Sequence, residues 1–264
     1  MRHPIGDLTD RIAVITGGAS GIGAACARLF SARGAQVVVA DVNEAKASRV
    51  AEEVGGVAFA VDVRDEVSVE TLARRSEAEV GPTAILVTSA GIVQPPLPPE
   101  ALPIDLYDQV LAINLRGTYL SARAFATYML ERRSGAIVTI SSITAERSVP
   151  LHAYAPSKAA VTNLTMGLAG EWGRAGLRVN AIEPGYVRTP ALQEQIDRGH
   201  RDPALLEEHS ALGRMVEPEE VARAAAFLVS DEAGCITGIA LPVDAGYFAV
   251  GGWAPYGGAR RREG

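Results

Sequence analysis

The stretch 141–158, S-S-I-T-A-E-R-S-V-P-L-H-A-Y-A-P-S-K, gathers hydroxyls, an imidazole, a phenol and an ammonium into a short span. Within it Tyr154 and Lys158 stand four residues apart. At the opening of a helix that spacing puts both side chains on one face, about 5–6 Å apart at Cβ. A neighbouring cation favours phenolate over phenol, and so draws a tyrosine down from its ordinary pKa of about 10. Such a pair can exchange a proton near neutral pH and serve as acid and base. The same spacing is common on solvated helix surfaces, so the chemistry depends on what the rest of the chain builds around it.

Upstream, the β-branched run Ile12–Thr16 ends in T-G-G-A-S-G-I-G, followed by the helical A-A-C-A-R-L-F-S-A-R and Gly34. This reads as strand, glycine-rich turn, helix and glycine stop. Gly17, Gly21 and Gly23 would let backbone approach a pyrophosphate at the helix N-terminus, where free N–H groups and the dipole favour an anion. Their spacing departs from G-x-G-x-x-G, and tight packing alone is the competing reading. The next strand, 36–40, leads into Asp41, 18 residues beyond Gly23. A carboxylate there can accept from ribose hydroxyls and repels a 2′-phosphate, and neither Val42 nor the turn residues Gly18, Ala19 and Ser20 supply a compensating cation. NAD is therefore expected over NADP; the alternative is that Asp41 caps the helix that follows.

Strand and helical patterns then alternate. A strand ends at Asp62 and Val63, a helix spans 66–80, and a strand runs into Thr88, Ser89, Ala90 and Gly91. Residues 94–103, with five prolines, read as a stiff loop. A long helix over 106–132 carries Asn114 in its apolar stripe, where an amide is either a satisfied core group or part of a site. A strand leads into Ser141 and Ser142, the helix with Tyr154 continues to about Arg174, and another strand ends at P-G-Y-V-R-T-P. The polar stretch 190–213 reads as a flexible substrate lid, and 251–264 as a loose or interface-forming tail. The alternation predicts an α/β fold over 1–264: one domain, a doubly wound parallel sheet of about seven strands with helices on both faces. Ligands bind beyond the carboxyl ends of such strands, where Asp62, Thr88 and Gly91 fall.

Bulk properties bound the function. The 264 residues carry a net charge of −6, with 48% hydrophobic and 21% charged residues. An acidic surface argues against nucleic acid or anionic membrane as partner. The two cysteines lie far apart and no Cys/His spacing suggests zinc, so no metal and a reducing, cytoplasmic compartment are expected. No apolar run is long enough for a membrane span.

Taken together these residues resemble the short-chain dehydrogenase/reductase family, the single-domain Rossmann oxidoreductases, over nearly the whole chain. T-G-G-A-S-G-I-G is similar to its cofactor turn, Asn114 to its structural-catalytic asparagine and Y-A-P-S-K to its active-site signature. Pro184, Gly185, Val187 and Thr189 match P-G-x-V-x-T, and V-D-A-G resembles V-D-G-G. The resemblance implies Tyr154 as general acid/base, Lys158 as the cation that lowers its pKa and holds the nicotinamide ribose, Ser142 as donor to the reacting oxygen, and Asn114 as holder of a water in a proton relay. It implies cofactor contacts from Gly17, Ser20, Gly21, Ile22, Gly23, Asp41, Val42, Asp62, Val63, Ser89, Ala90, Gly91, Tyr154, Lys158, Pro184, Gly185, Val187 and Thr189, and a homotetramer. Three departures stand out. N-N-A-G reads T-S-A-G at 88–91. The usual spacing to the tyrosine selects Ser141, whereas the I-S-S-I string selects Ser142; Ser142 is preferred, because a one-residue shift at a strand end flips the side chain. Ala245 replaces a glycine, an exchange expected to be minor.

Gln94, Glu146, His152, Tyr186 and Glu208 can face a substrate, a polar set that suits a polyol, sugar or hydroxy acid; for each, a solvated loop side chain is the competing reading. The expected activity is hydride transfer between NAD and a secondary alcohol or ketone of that kind. The runner-up is a 3-oxoacyl or small-ketone reductase using NAD(P)H, and the reading from another class is a cofactor-binding sensor without chemistry.

Overall fold

Seven short apolar runs pair side by side, all parallel, in the computed structural model, which describes residues 6–259. In chain order the elements are β1 (Ile12–Thr16), α1 (Gly21–Ala32), β2 (Gln36–Asp41), α2 (Glu44–Val54), β3 (Val57–Ala60), α3 (Glu66–Arg75), β4 (Thr83–Thr88), α4 (Ile104–Leu111), α5 (Gly117–Arg132), β5 (Gly135–Ile140), α6 (Tyr154–Trp172), β6 (Leu177–Pro184), α7 (Pro190–Asp197), α8 (Pro203–Glu208), α9 (Pro218–Val229) and β7 (Ala240–Val243). The sheet order is β3-β2-β1-β4-β5-β6-β7. Successive strand residues point to opposite faces, so Ala13 and Ile15 join the layer of α1, α2 and α9, while Ile12 and Val14 join that of α3, α5 and α6. Burial on both faces is why the strands read as continuous apolar runs. The order reverses between β1 and β4, and the crevice beyond their carboxyl ends is where such sheets take a ligand.

The helix expected over 106–132 is present from Ile104 to Arg132, with residues Ala112–Arg116 as a π-helical turn between α4 and α5. Asn114 sits in that turn with its amide committed to Ile92, and the tertiary pairing outweighs the smooth helical periodicity. The stretch 190–213, expected to form a lid, carries α7 and α8. Each has proline in its first turn and a capping side chain, Thr189 and Asp202. The proline-rich 94–103 is a loop ending in a 3₁₀ turn, Pro99–Ala101. Of the tail, 260–264 lie outside the described residues. No described helix is long and apolar enough to cross a membrane.

Candidate active site

The glycine turn after β1 lies flat against the end of β4. Gly17 has φ +68°, and a Cβ there would stand 2.5 Å from Ala90 N; one on Gly23 would stand 2.2 Å from Gly17 O. Ser89 N donates to Thr16 O at 3.0 Å and Gly18 N to Ala40 O at 3.2 Å, tying the turn to its neighbours. Ser20 is the extended N-cap of α1 but caps nothing with its side chain, and no acidic residue stands in the first turn. The N–H groups of Gly21, Ile22 and Gly23 thus lack intrahelical acceptors at the positive end of the dipole, a place suited to phosphate. Thr189 faces Gly21 across the cleft, its Cγ2 3.2 Å from where a Cβ would be. An elongated, anionic ligand can therefore lie against bare backbone here, which is the fit a dinucleotide requires.

At the end of β2, Asp41 accepts from Ala19 N at 3.2 Å and from Asn43 N at 2.9 Å. It does not cap α2; Asn43 does, accepting from Lys46 N. Val42 beside it is 72% exposed. Asp62 is bound to Arg64, with Nη2 2.6 Å from Oδ2, and that hydrogen-bonded guanidinium holds its carboxyl below the usual range. Val63 is buried against Gly117, where a Cβ would lie 2.7 Å from Val63 Cγ2. Its side chain therefore belongs to the core.

Around β4, β5 and α6 the structure brings together Gly91, Asn114, Ser142, Tyr154 and Lys158. A Cβ on Gly91 would lie 3.3 Å from Asn114 Oδ1 and 3.6 Å from Lys158 Nζ, so glycine keeps the space between them open. Asn114 is fully buried: Oδ1 accepts from Ile92 N at 2.9 Å, and Nδ2 donates to Ile92 O at 3.0 Å and Ser157 Oγ at 3.1 Å. With both amide protons committed, a role for Asn114 towards water falls to its backbone carbonyl, which already accepts from Thr118 Oγ1.

The adjacent serines part ways. Ser141 turns into the α6 packing, its Oγ 2.9 Å from Lys158 O and 2.8 Å from Thr162 Oγ1. Ser142 stands beside the Tyr154 phenol and favours its ionised form, while also accepting from Thr144 N. Lys158 Nζ lies 5.6 Å from the centre of the Tyr154 ring and donates to Ile140 O at 2.7 Å. Burial pushes the ammonium down from 10.5 to about 8. For Tyr154 the expected downward shift is corrected: burial pushes the phenol above its ordinary value and outweighs the Ser142 hydroxyl. Desolvation penalises the anion.

The expected substrate residues differ in burial and in what they touch. Gln94 is buried, and its Oε1 accepts from Tyr154 N at 2.9 Å, so its carbonyl end serves the helix. Glu146 and His152 are exposed, His152 in a shallow cleft lined also by Arg147, Leu151, Ala155 and Ala159. Glu208 is exposed on α8. Tyr186 is half-buried and meets Tyr247 edge-on, with centroids 5.6 Å apart; burial raises its pKa. Gly185 lies where a Cβ would be 2.7 Å from Asp244 Cα, so Pro184 and Gly185 are pinned to the end of β7. Val187 bridges to Val216.

Sequence reasoning missed Ser157, Tyr247 and Glu183. Glu183 is a buried carboxylate on β6, raised by desolvation, that accepts from Thr162 Oγ1 at 2.8 Å. Ser157 lies inside Y-A-P-S-K, but its Asn114 partner is 43 residues away. Tyr247 and Glu183 carry no local signal. At the opposite end of the sheet a cavity of about 620 Å³ is lined by Arg11, Arg178 and Asp231. Its arginines are spent on the carbonyls of Leu228, Val229, Ser230 and Ile236 and on Asp231. Among the described residues no group of three or more His, Cys, Asp or Glu could hold a metal ion.

Comparison with known proteins gives a concordant result. Residues 17–248 match the family described as enoyl-(acyl carrier protein) reductase. A cis-4-hydroxycyclohexanecarboxylate dehydrogenase of Sinomonas cyclohexanicum is 42% identical over 246 residues, 91% of this chain and 98% of that protein. A D-threitol dehydrogenase of Mycolicibacterium smegmatis is 41% identical, covering 91% and 94%. A crystal structure titled ribose-5-phosphate isomerase, from Brucella melitensis 16M, is 48% identical with a TM-score of 0.93, covering 95% of this chain and 97% of its own.

Proposed function

The chain belongs to the short-chain dehydrogenase/reductase family, oxidoreductases of CH–OH groups that work with a nicotinamide dinucleotide, and from that premise we propose that it oxidises a secondary alcohol of a polar, polyhydroxylated compound with NAD. The observation that carries the reading is the meeting of Ser142, Tyr154 and Lys158 beside the bare backbone of the glycine turn.

In this reading Tyr154 takes the hydroxyl proton of the alcohol, and a nicotinamide dinucleotide held along the glycine turn would supply the hydride acceptor. Ser142 donates to the substrate oxygen and steadies the charge that develops there. Lys158, anchored on Ile140 O, sets its positive charge close to the phenol and offers the nearest place for a ribose hydroxyl. Gly91 keeps the space between Asn114 and Lys158 clear of a side chain. Run in reverse, the Tyr154 phenol protonates a forming alkoxide.

Asp41 supports NAD over NADP: its carboxylate is drawn onto the turn at Ala19 N, where a 2′-phosphate would meet negative charge. The relatives named for threitol and for a hydroxycyclohexane carboxylate support a small polar alcohol as substrate. The Brucella structure is named for a ribose-5-phosphate isomerase, whereas the flat glycine turn and the open start of α1 favour a dinucleotide here. A homotetramer is part of the proposal, supported by exposed Tyr119 and Met166 on α5 and α6 and by exposed Ile239 and Trp253 near the carboxyl end.

The test is dinucleotide reduction over a panel of polyols, sugars, hydroxy acids and simple secondary alcohols, with NAD and NADP in parallel, alongside Tyr154→Phe. Turnover of a polyol with NAD, abolished in Tyr154→Phe while NADH still binds, is the expected result. Turnover with NADP alone, or an active Tyr154→Phe, would overturn it.

A further inference from the structure

We propose that Gln94 is a positioning residue for Tyr154: its buried side-chain carbonyl fixes the start of α6 and with it the place of the phenol. The inference rests on the reading of Tyr154 as the acid/base. Helices α2, α3, α7 and α8 open on Asn43, Asp65, Thr189 and Asp202, each accepting a first-turn N–H, and α9 opens on a Glu217/Glu220 capping box. Helix α6 opens on Ala153, which has no side-chain acceptor. The missing acceptor comes from 60 residues away, where Gln94 Oε1 lies 2.9 Å from Tyr154 N. Gln94 is 3% exposed, so water is poorly placed to take over.

The carbonyl side of Tyr154 is fixed from the same segment. Ser157 Oγ donates to Tyr154 O at 2.6 Å and accepts from Asn114 Nδ2, and Asn114 grips both backbone groups of Ile92, two residues before Gln94. Earlier in that segment, Ala90 is the residue on which Gly17 packs. Residues 89–94 therefore act as a spacer, with the glycine turn at one end and both peptide groups of Tyr154 at the other. Gln94 is its final link. A displacement of about 1 Å between reacting groups can cost a hundredfold in rate without weakening binding. A link of this kind is felt in kcat.

The experiment compares Gln94→Met and Gln94→Glu with wild type in the intact enzyme, using the best alcohol of the panel and NAD. Methionine keeps the length and removes the acceptor; glutamate keeps an acceptor oxygen at the same reach. Gln94→Met should lose about 10- to 100-fold in kcat, with the alcohol KM and the NADH Kd from fluorescence titration held within about twofold. Gln94→Glu should recover most of that loss. A raised KM with kcat intact would make Gln94 a substrate contact and overturn the proposal, as would full activity in Gln94→Met or an equal loss in Gln94→Glu. Tyr154→Phe, run beside them, separates the two readings: a dead Tyr154→Phe with an active Gln94→Met refutes only the positioning role, whereas an active Tyr154→Phe refutes the acid/base. Amide exchange of wild-type Tyr154 gives a check that no folding defect can spoil. Slow exchange is expected, and exchange at the rate of an open first turn would refute the bond.

Discussion

Lys158 should cost the protein stability, and replacing it with methionine should show how much. The side chain is 5% exposed and its amine is driven from 10.5 to about 8 by loss of water. At about 1.36 kcal/mol per unit, keeping that ammonium protonated inside the fold at pH 7 costs about 3 kcal/mol relative to the unfolded chain. Methionine removes the cost but leaves Ile140 O without its donor, a loss of about 1–2 kcal/mol. Lys158→Met, measured without dinucleotide, should therefore be more stable than wild type by about 1–2 kcal/mol at pH 7 while losing activity, the trade expected where a site is kept at the expense of the fold.

The pH dependence tests the cause. Between about 8 and 10.5 the unfolded chain holds a proton that native Lys158 has released. The unfolded state binds more protons there, so this residue makes wild-type stability rise with pH, and its penalty shrinks from about 3 kcal/mol at pH 7 to about 1 kcal/mol at pH 10. Urea unfolding of both proteins at the two pH values, followed by circular dichroism, reports the difference between them, in which the other titrating groups largely cancel. The advantage of Lys158→Met should fall by about 2 kcal/mol on going to pH 10. A difference that stays constant would mean that Lys158 titrates natively as it does unfolded, and the desolvation argument would fail.

Other outcomes follow from single contacts. Ala245 has φ +52°, a left-handed conformation that costs a residue with a Cβ about 1 kcal/mol, so Ala245→Gly should raise the melting temperature by about 2–4 °C in a calorimetric scan. Ser142→Ala should lower kcat about a hundredfold with little change in stability. Ser141→Ala should instead cost about 1 kcal/mol of stability, by loss of its contacts with Lys158 O and Thr162, and leave kcat within a few-fold.

The sheet was legible because both its faces are covered. Strands such as Val37–Val39 and Ile85–Val87 must be apolar throughout when helices pack on each side, and glycine or acidic residues mark where they stop. The π turn at Asn114 was not legible, since A-I-N-L-R reads as ordinary helix. The π turn exists because the amide reaches Ile92, a partner that only the fold supplies. Helices α7 and α8 were hidden by polar composition, although Thr189-Pro190 and Asp202-Pro203 are ordinary helix starts. Ala245 was read as a minor exchange because its left-handed backbone is invisible in composition.

For the site, what could be read is what is local. Helical spacing puts Tyr154 and Lys158 on one face, and strand alternation sends Ser141 and Ser142 to opposite sides, whichever fold surrounds them. What could not be read is whatever acts across the chain. That the Gln94 side-chain oxygen meets a backbone N–H 60 residues on is announced by no side-chain chemistry. The direction of the Tyr154 shift failed for a related reason. Spacing reveals the neighbouring charge but not the loss of water around both groups, and here the water matters more. Burial raises the Tyr154 phenol and brings Lys158 down to about 8, so under the proposed function a further positive charge arriving in the cleft would favour phenolate when a substrate needs a base.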